Sequence, residues 1–386
     1  MKIRLNYRVL FVLAALAVLA VREVALELRP SFLRPGLHLF AYVGNTGDGT
    51  LTAIDLIKLA PVAAIPVGAN PTGIRAHPTR KEIWGLGSAR SGAGFAWVLD
   101  TDSNQIVARI PVGATPYALD FSPDGTRAYV AAAASNSVVA IDCASRQIVA
   151  RGRAGHGPWI ARVSPDGKLV LVSNRDDGTI SILDAATLAP LGVVKTAPHP
   201  EQIAILPDSS KAFVTSGTTD QISVIDLQRR VLLANLALGG RPDDLILKAD
   251  GGELYIPSAQ AHGLLIVNTQ TNEVADFLLL GMAPTSGALA SSTGALYVSD
   301  SAGGDVVPIA INARQVARPI PVGQGPDTCG FTPGGDMLLV VDGVSNDLAV
   351  IRTRTAQAPS AFSPPQSPIT LIPVGDRPRD LAIKIF

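Results

Sequence analysis

One Pro-anchored element recurs along this chain at a nearly fixed spacing, and nothing else limits the possible folds so strongly. It reads IPVGANP ending at Pro71, IPVGATP at Pro116, GRAGHGP at Pro158 and KTAPHP at Pro200. It continues as LALGGRP at Pro242, LLLGMAP at Pro284, IPVGQGP at Pro326 and IPVGDRP at Pro378. The first interval is 45 residues, the next five are 42 and the last is 52. A period this long means repeated supersecondary units that stack, because one such unit cannot bury its apolar faces alone.

Each unit has four parts. An alternating stretch follows the Pro and ends in a turn, as in YALDFSPDG (117–125), WIARVSPDG (159–167) and CGFTPGG (329–335). In Ser-Pro-Asp-Gly, Pro presets φ, Asp bonds nearby backbone and Gly takes positive φ. Second and third apolar runs follow, such as LVLVS (169–173) and ISILD (180–184). A fourth, such as QIVARIPV (105–112), leads back to the next anchor. Runs of four to eight Val, Ile and Leu residues bounded by turn residues predict strands. The 36 Gly and 29 Pro punctuate the chain too often for helices.

Four strands per unit predict an all-β, eight-bladed β-propeller of four-stranded antiparallel blades, with seven blades as the alternative. The chain body starts with a second strand, FAYVG (40–44), and ends with a first strand, RDLAIKI (379–385). The N- and C-terminal strands should therefore pair and close the ring, removing free edges. Two irregularities stand out: a longer loop at 87–94 and a Pro-rich insertion at 352–368. Residues 1–21 carry Lys2, Arg4 and Arg8 before an apolar run at 9–21, the pattern of a signal peptide or signal anchor. Residues 22–38 read as a linker and 39–386 as a single propeller domain. This places the body in the periplasm or outside the cell, with membrane contact only through that N-terminal segment.

The units resemble the YVTN β-propeller repeats, best in IPVGATP with FSPDG (110–125), VSPDG (163–167) and YVGN (42–45). The resemblance covers residues 40–386 and implies an exported bacterial or archaeal envelope protein. Related propellers include haem d1 domains of the nitrite reductase type, their haem-assembly relatives and lactonase-like enzymes. Fold likeness does not choose among these functions.

In this topology the fourth-to-first and second-to-third loops share one face, and the Ser-Pro-Asp-Gly turns lie on the other. Residues after the anchors converge on the channel mouth: Thr72, Tyr117, Trp159, Glu201, Asp243, Thr285, Asp327 and Arg379. Their variety on a regular scaffold is where a ligand preference can be written; the plainer reading is polar solvation of a wet mouth. His156 and His199 lie in neighbouring mouth loops. With Glu201 they form a candidate site for a divalent metal or an axially held haem, although surface histidines are the default. His77 replaces the Ser of the Ser-Pro turn and should cap it. His38 and His262 suggest no chemistry.

Arg75, Asp120 and Arg162 each lie four residues after an anchor in consecutive units, which predicts an Arg–Asp–Arg ladder. Asp55, Asp100, Asp142, Asp184 and Asp226 end third strands and should bond the following turn. Cys143 is expected at an outer turn and Cys329 as a small buried residue of an inner strand, too far apart to bridge.

The 32 Lys and Arg balance 32 Asp and Glu, so no basic field supports nucleic-acid binding. No G-x-S-x-G, His-Glu-x-x-His, EF-hand, Walker loop or Cys-x-x-Cys-His occurs. The favoured expectation is a monomeric, exported binding module without a cofactor or catalytic residue. It would hold an envelope protein, glycan or small ligand at the mouth through Tyr117, His156, Trp159, His199, Glu201, Asp243, Asp327 and Arg379. The alternatives are a metal- or haem-binding or lactonase-like propeller enzyme, and a passive envelope component.

Overall fold

The computed structural model describes residues 38–89, 91–290, 294–353 and 367–386. It forms eight antiparallel sheets. Blade 1 takes its inner strand from the C-terminus: Pro378–Ile385 pairs with Leu39–Asn45, followed by Thr50–Asp55 and Ala60–Pro66. The other seven blades open on inner strands Ala69–Ala76, Pro116–Phe121, Pro158–Val163, Pro200–Ile205, Ile246–Leu247, Pro284–Ala290 and Pro326–Phe331. The expected ring closure is present, and eight blades replace the seven-blade alternative. The expected signal segment at 1–21 and most of the 352–368 insertion lie outside the described residues. Around 87–94 the strands extend instead, as Glu82–Ser88 and Gly94–Asp100.

Burial explains the strand sequences. Second and third strands are covered on both faces by neighbouring blades, so Leu169–Asn174 is buried along nearly its whole length. Outer strands such as Gln147–Arg153 expose every second residue. The apolar side chains gather into eight clusters, each shared between adjacent blades. Trp84, Leu86 and Val98 of blade 2, for example, pack with Leu119, Val130 and Ile141 of blade 3.

Two departures have local causes. The inner strand of blade 6 shrinks to Ile246–Leu247 because Pro257, across from it, has no N–H to donate. In blade 7, Pro319 splits the outer strand into Gln315–Val316 and Ile320–Pro321.

The turn roles read from sequence hold. Asp55, Asp100, Asp142, Asp184 and Asp226 each accept a backbone N–H two or three residues on. His77 caps its turn, its Nδ1 accepting from Thr79 N and Arg80 N at 3.2 and 3.0 Å. Cys143 lies in the turn after a third strand, as expected, and its side chain is fully buried in the blade 2–blade 3 cluster, where burial pushes its thiol up to about 12. Cys329 is half-buried on the channel side, and burial likewise raises its thiol to about 12. Both cysteines are free.

The Gly three residues before Pro158 also has a cause. Gly155 N donates to Asn174 Oδ1 at 2.9 Å, and a Cβ on Gly155 would sit 2.8 Å from Asn174 Cγ. Blade 5 carries Ala197 at this position, where the second strand ends in the smaller Ser216. Gly155→Ala should therefore push Asn174 aside and lower stability by about 1–3 kcal/mol. Thermal melts compared with wild type check this, and an unchanged Tm would refute the steric account.

Candidate functional site

The anchors position the mouth. In six blades the residue before the Pro has left-handed backbone: Asn70, Thr115, Gly157, His199, Gly325 and Arg377, with φ between 50° and 65°. This kink, followed by the fixed φ of Pro, turns the chain from an outer strand into an inner one. The residue after each anchor is thereby delivered to the channel rim, while every anchor Pro is buried.

Four of the expected mouth residues come together in one row across blades 3, 4 and 5. Tyr117 and Trp159 stack with ring centroids 3.5 Å apart and planes 21° from parallel. The guanidinium of Arg175 lies 4.0 Å from the centre of the Trp159 ring. Arg175 also donates to Glu201 Oε1 at 2.6 Å and to His199 Nδ1 at 3.3 Å. His199 Nδ1 is 3.4 Å from Glu201 Oε1. Tyr117 is 37% exposed, so the row presents an aromatic ring to solvent. Its phenol is pushed up by burial first, then by the charges of Asp380 and Glu201.

The remaining mouth residues divide between other partners. His156 pairs with Asp177 at 2.8 Å and is exposed; it joins neither His199 nor Glu201 in any contact. Asp243 pairs with Arg241 at 3.4 Å and accepts from Ala259 N at 2.7 Å. Burial pushes Asp243 and Asp327 above the usual carboxylate range. Arg379 acts on Asp327 by charge, while its carbonyl accepts from Thr328 Oγ1 at 2.8 Å. Thr72 and Thr285 each hold a buried hydroxyl oxygen without a partner. Among the described residues no group of three or more His, Cys, Asp or Glu side chains is placed to hold a metal ion.

Below the mouth, the ladder differs from expectation. Asp120 does face Arg162, at 3.9 Å, and accepts from Val163 N at 3.0 Å. Arg75, however, faces Asp380 of the closing strand at 3.8 Å, not Asp120. Asp380 accepts from Ile74 N at 2.8 Å, so it staples the C-terminal strand to blade 2. Asp244 accepts from Ser286 Oγ at 3.0 Å on the same channel wall. A cavity of about 250 Å³ lies here, lined by Arg75, Thr328, Cys329 and Phe331 among others. A wider cleft of about 450 Å³ sits at the seam of blades 3 and 4, against Arg153, Asn174 and Asp177.

Sequence reasoning missed Arg175, Asp244 and Asp380. Arg175 sits in a second-to-third loop, on the face already assigned to the mouth, but the Pro anchors do not mark it. Asp244 and Asp380 share the position two residues after an anchor, which alignment of the units exposes.

A family profile described as YNCE-like beta-propeller matches residues 42–289. Among solved structures the chain is similar to dihydro-heme d1 dehydrogenase NirN in complex with DHE, at 17% identity and a TM-score of 0.74. That likeness covers 92% of this chain and 77% of the other. It is also similar to hydrazine synthase of Kuenenia stuttgartiensis, with 19% identity, a TM-score of 0.57, and 73% and 95% of the two chains covered. A functionally unknown protein from Desulfotomaculum acetoxidans matches at 14% identity and a TM-score of 0.58, over 72% and 94% of the two chains. At these identities the likenesses show the fold alone. No curated protein matches the sequence.

Proposed function

The chain belongs to the YNCE-like β-propeller family, and from that premise we propose that it is an exported binding module whose ligand docks at the channel mouth. The observation that carries this reading is the Tyr117–Trp159–Arg175–Glu201 row. A structural rim needs no stacked aromatic pair at the surface. Here a flat, partly exposed ring lies beside charged groups already held in place, the combination that small-ligand sites use for area and orientation. A ligand with a ring, such as a sugar of an envelope glycan or an exposed side chain of an envelope protein, can cover the free face of Tyr117.

Trp159 makes the test direct. Trp84 and Trp97 are fully buried in the inter-blade cores, so a fluorescence change on ligand addition reports Trp159. Titration with neutral, acidic and amino oligosaccharides and with soluble envelope extract should change wild-type emission, and Tyr117→Ala should weaken the response about tenfold or more. Equal responses from wild type and Tyr117→Ala would overturn the reading. A visible haem spectrum in protein purified from its host, lost in His199→Ala, would transfer the function to the cofactor-binding alternative.

A further inference from the structure

We propose that Asp342 and Asp347 share one proton and act as a pH-sensitive latch beneath the blade 8 segment of the mouth. The two residues lie directly opposite each other, at the end of the second strand Met337–Asp342 and the start of the third strand Asp347–Arg352. Blades 1 and 4 fill the same two positions with Asn45–Thr50 and Asn174–Thr179. There the Asn amide donates to the Thr hydroxyl at 3.0 Å in both blades. Blade 8 has a carboxyl in place of each member, so the pair contains no donor unless one oxygen is protonated.

Its surroundings do not supply the missing donor. Asp342 is fully buried. Its Oδ2 accepts from Gly323 N at 3.0 Å, but its Oδ1 and the Oδ1 of Asp347 are both buried without partners. The anchor loop contributes the backbone of Gly323 and Gln324, and the intervening loop contributes Ser345 and Asn346. From the next blade, Arg377 offers its backbone N–H to Asn346 Oδ1. The one charged group acting on Asp342 is Asp347. Burial first, then the facing Asp347, raises the Asp342 carboxyl to about 8. Blade 7 carries a similar pair, Asp300 and Asp305, but there Met282 N, Ala283 N and Gly303 N all donate to Asp300. Those donors satisfy Asp300 and leave only the Oδ1 of Asp305 buried without a partner, whereas in blade 8 both members of the pair hold such an oxygen.

The latch acts on the loop between the two residues. Gly343 N and Val344 N bond the carbonyls of Gly325 and Gln324 at 2.8 and 3.0 Å, just before Pro326 and the mouth residue Asp327. Losing the proton leaves two carboxylates face to face in a dry site, and separating them pulls this loop from the rim. The folded carboxyl holds its proton above the ordinary value of 3.8, so the stabilisation is complete below that value. It is lost as pH rises through about 8.

Thermal melts from about pH 5 to pH 9 test this, comparing wild type with Asp347→Asn and with the double variant Asp342→Asn/Asp347→Thr. The double variant recreates the Asn–Thr pair that blades 1 and 4 already accommodate. Wild-type Tm should fall by about 5 °C more than that of the double variant across this range. Hydrogen exchange of the 338–347 peptide, compared between wild type and the double variant at matched pH, should be equal near about pH 6 and faster in wild type near about pH 9. Parallel Tm curves, or equal exchange at high pH, would overturn the proposal. So would calcium chloride raising the wild-type Tm at high pH while leaving the double variant unchanged, because a cation would then fill the gap.

Discussion

A chain ending at Arg377 is expected not to fold. It lacks Pro378–Ile385, whose seven register pairs with Leu39–Asn45 complete blade 1. Leu381 and Ile383 pack with Leu39, Val43, Leu339 and Val341 between blades 8 and 1, and Ala382 packs between blades 1 and 2. Losing these two partly buried side chains alone forfeits about 2–4 kcal/mol, a large share of the net stability of many domains. The truncation also removes Asp380 from Ile74 N and Arg75, and the buried Lys384 ammonium from the carbonyl of His77. Every blade is held only by its neighbours, so the opened ring exposes two blade faces and an unpaired strand edge. Circular dichroism and size-exclusion chromatography should find aggregated protein with no cooperative melt. Adding the 378–386 peptide during refolding should recover folded protein. Removing Phe386 alone costs its two backbone bonds to His38, its ring stacking on His38 and Phe40 and a cation–π contact with Lys81, so that variant should melt slightly below the full chain. A chain ending at Arg377 that melts like the full chain would show that closure contributes little.

The ring closure was legible because it rests on local signals that repeat. Pro, Gly and apolar runs mark each strand in place, and their phase at the two ends shows which strand is missing and which is left over. Burial of Cys143 was equally legible, though only by column. The residue after the third-strand Asp or Asn is Leu56, Thr101, Cys143, Ala185, Leu227 or Thr269, and every one is buried. That position turns back under the blade, so its chemistry follows the column and not the local turn. The charged ladder held between Asp120 and Arg162 but not at Arg75, for a different reason. Equal positions in consecutive units predict adjacency, but the partner of Arg75 comes from the far end of the chain and from a different position in its unit. Ring closure brings Asp380 to it, and no spacing along the chain measures that contact. Arg175 was hidden because one unit alone carries it, and a repeat pattern is blind to what does not repeat.

Replacing Arg175 with Ala should have the largest effect on the mouth while leaving the fold intact. One guanidinium covers Trp159, holds Glu201 and orients His199. Its removal ends a cation–π contact and a charge-assisted hydrogen bond of half-buried groups, together worth about 2–3 kcal/mol. If the mouth binds ligand as proposed, the loss of this preorganised row should weaken affinity about tenfold or more. The global Tm should fall by only a few degrees with a cooperative melt retained, because Arg175 lies on the rim outside the inter-blade clusters. Arg175→Lys should fall between the two, since an ammonium keeps the charge but cannot lie flat on Trp159 while reaching both Glu201 and His199. Two readouts separate this from a general loosening. The emission of Trp159 should shift to the red in Arg175→Ala without any ligand, as water replaces the guanidinium over the ring. The double variant Arg175→Ala/Glu201→Gln should lose less affinity than the sum of the single variants, because each already breaks the bond they share. If Arg175→Ala leaves both the emission and the affinity at wild-type values, the row is a structural contact and the ligand docks elsewhere.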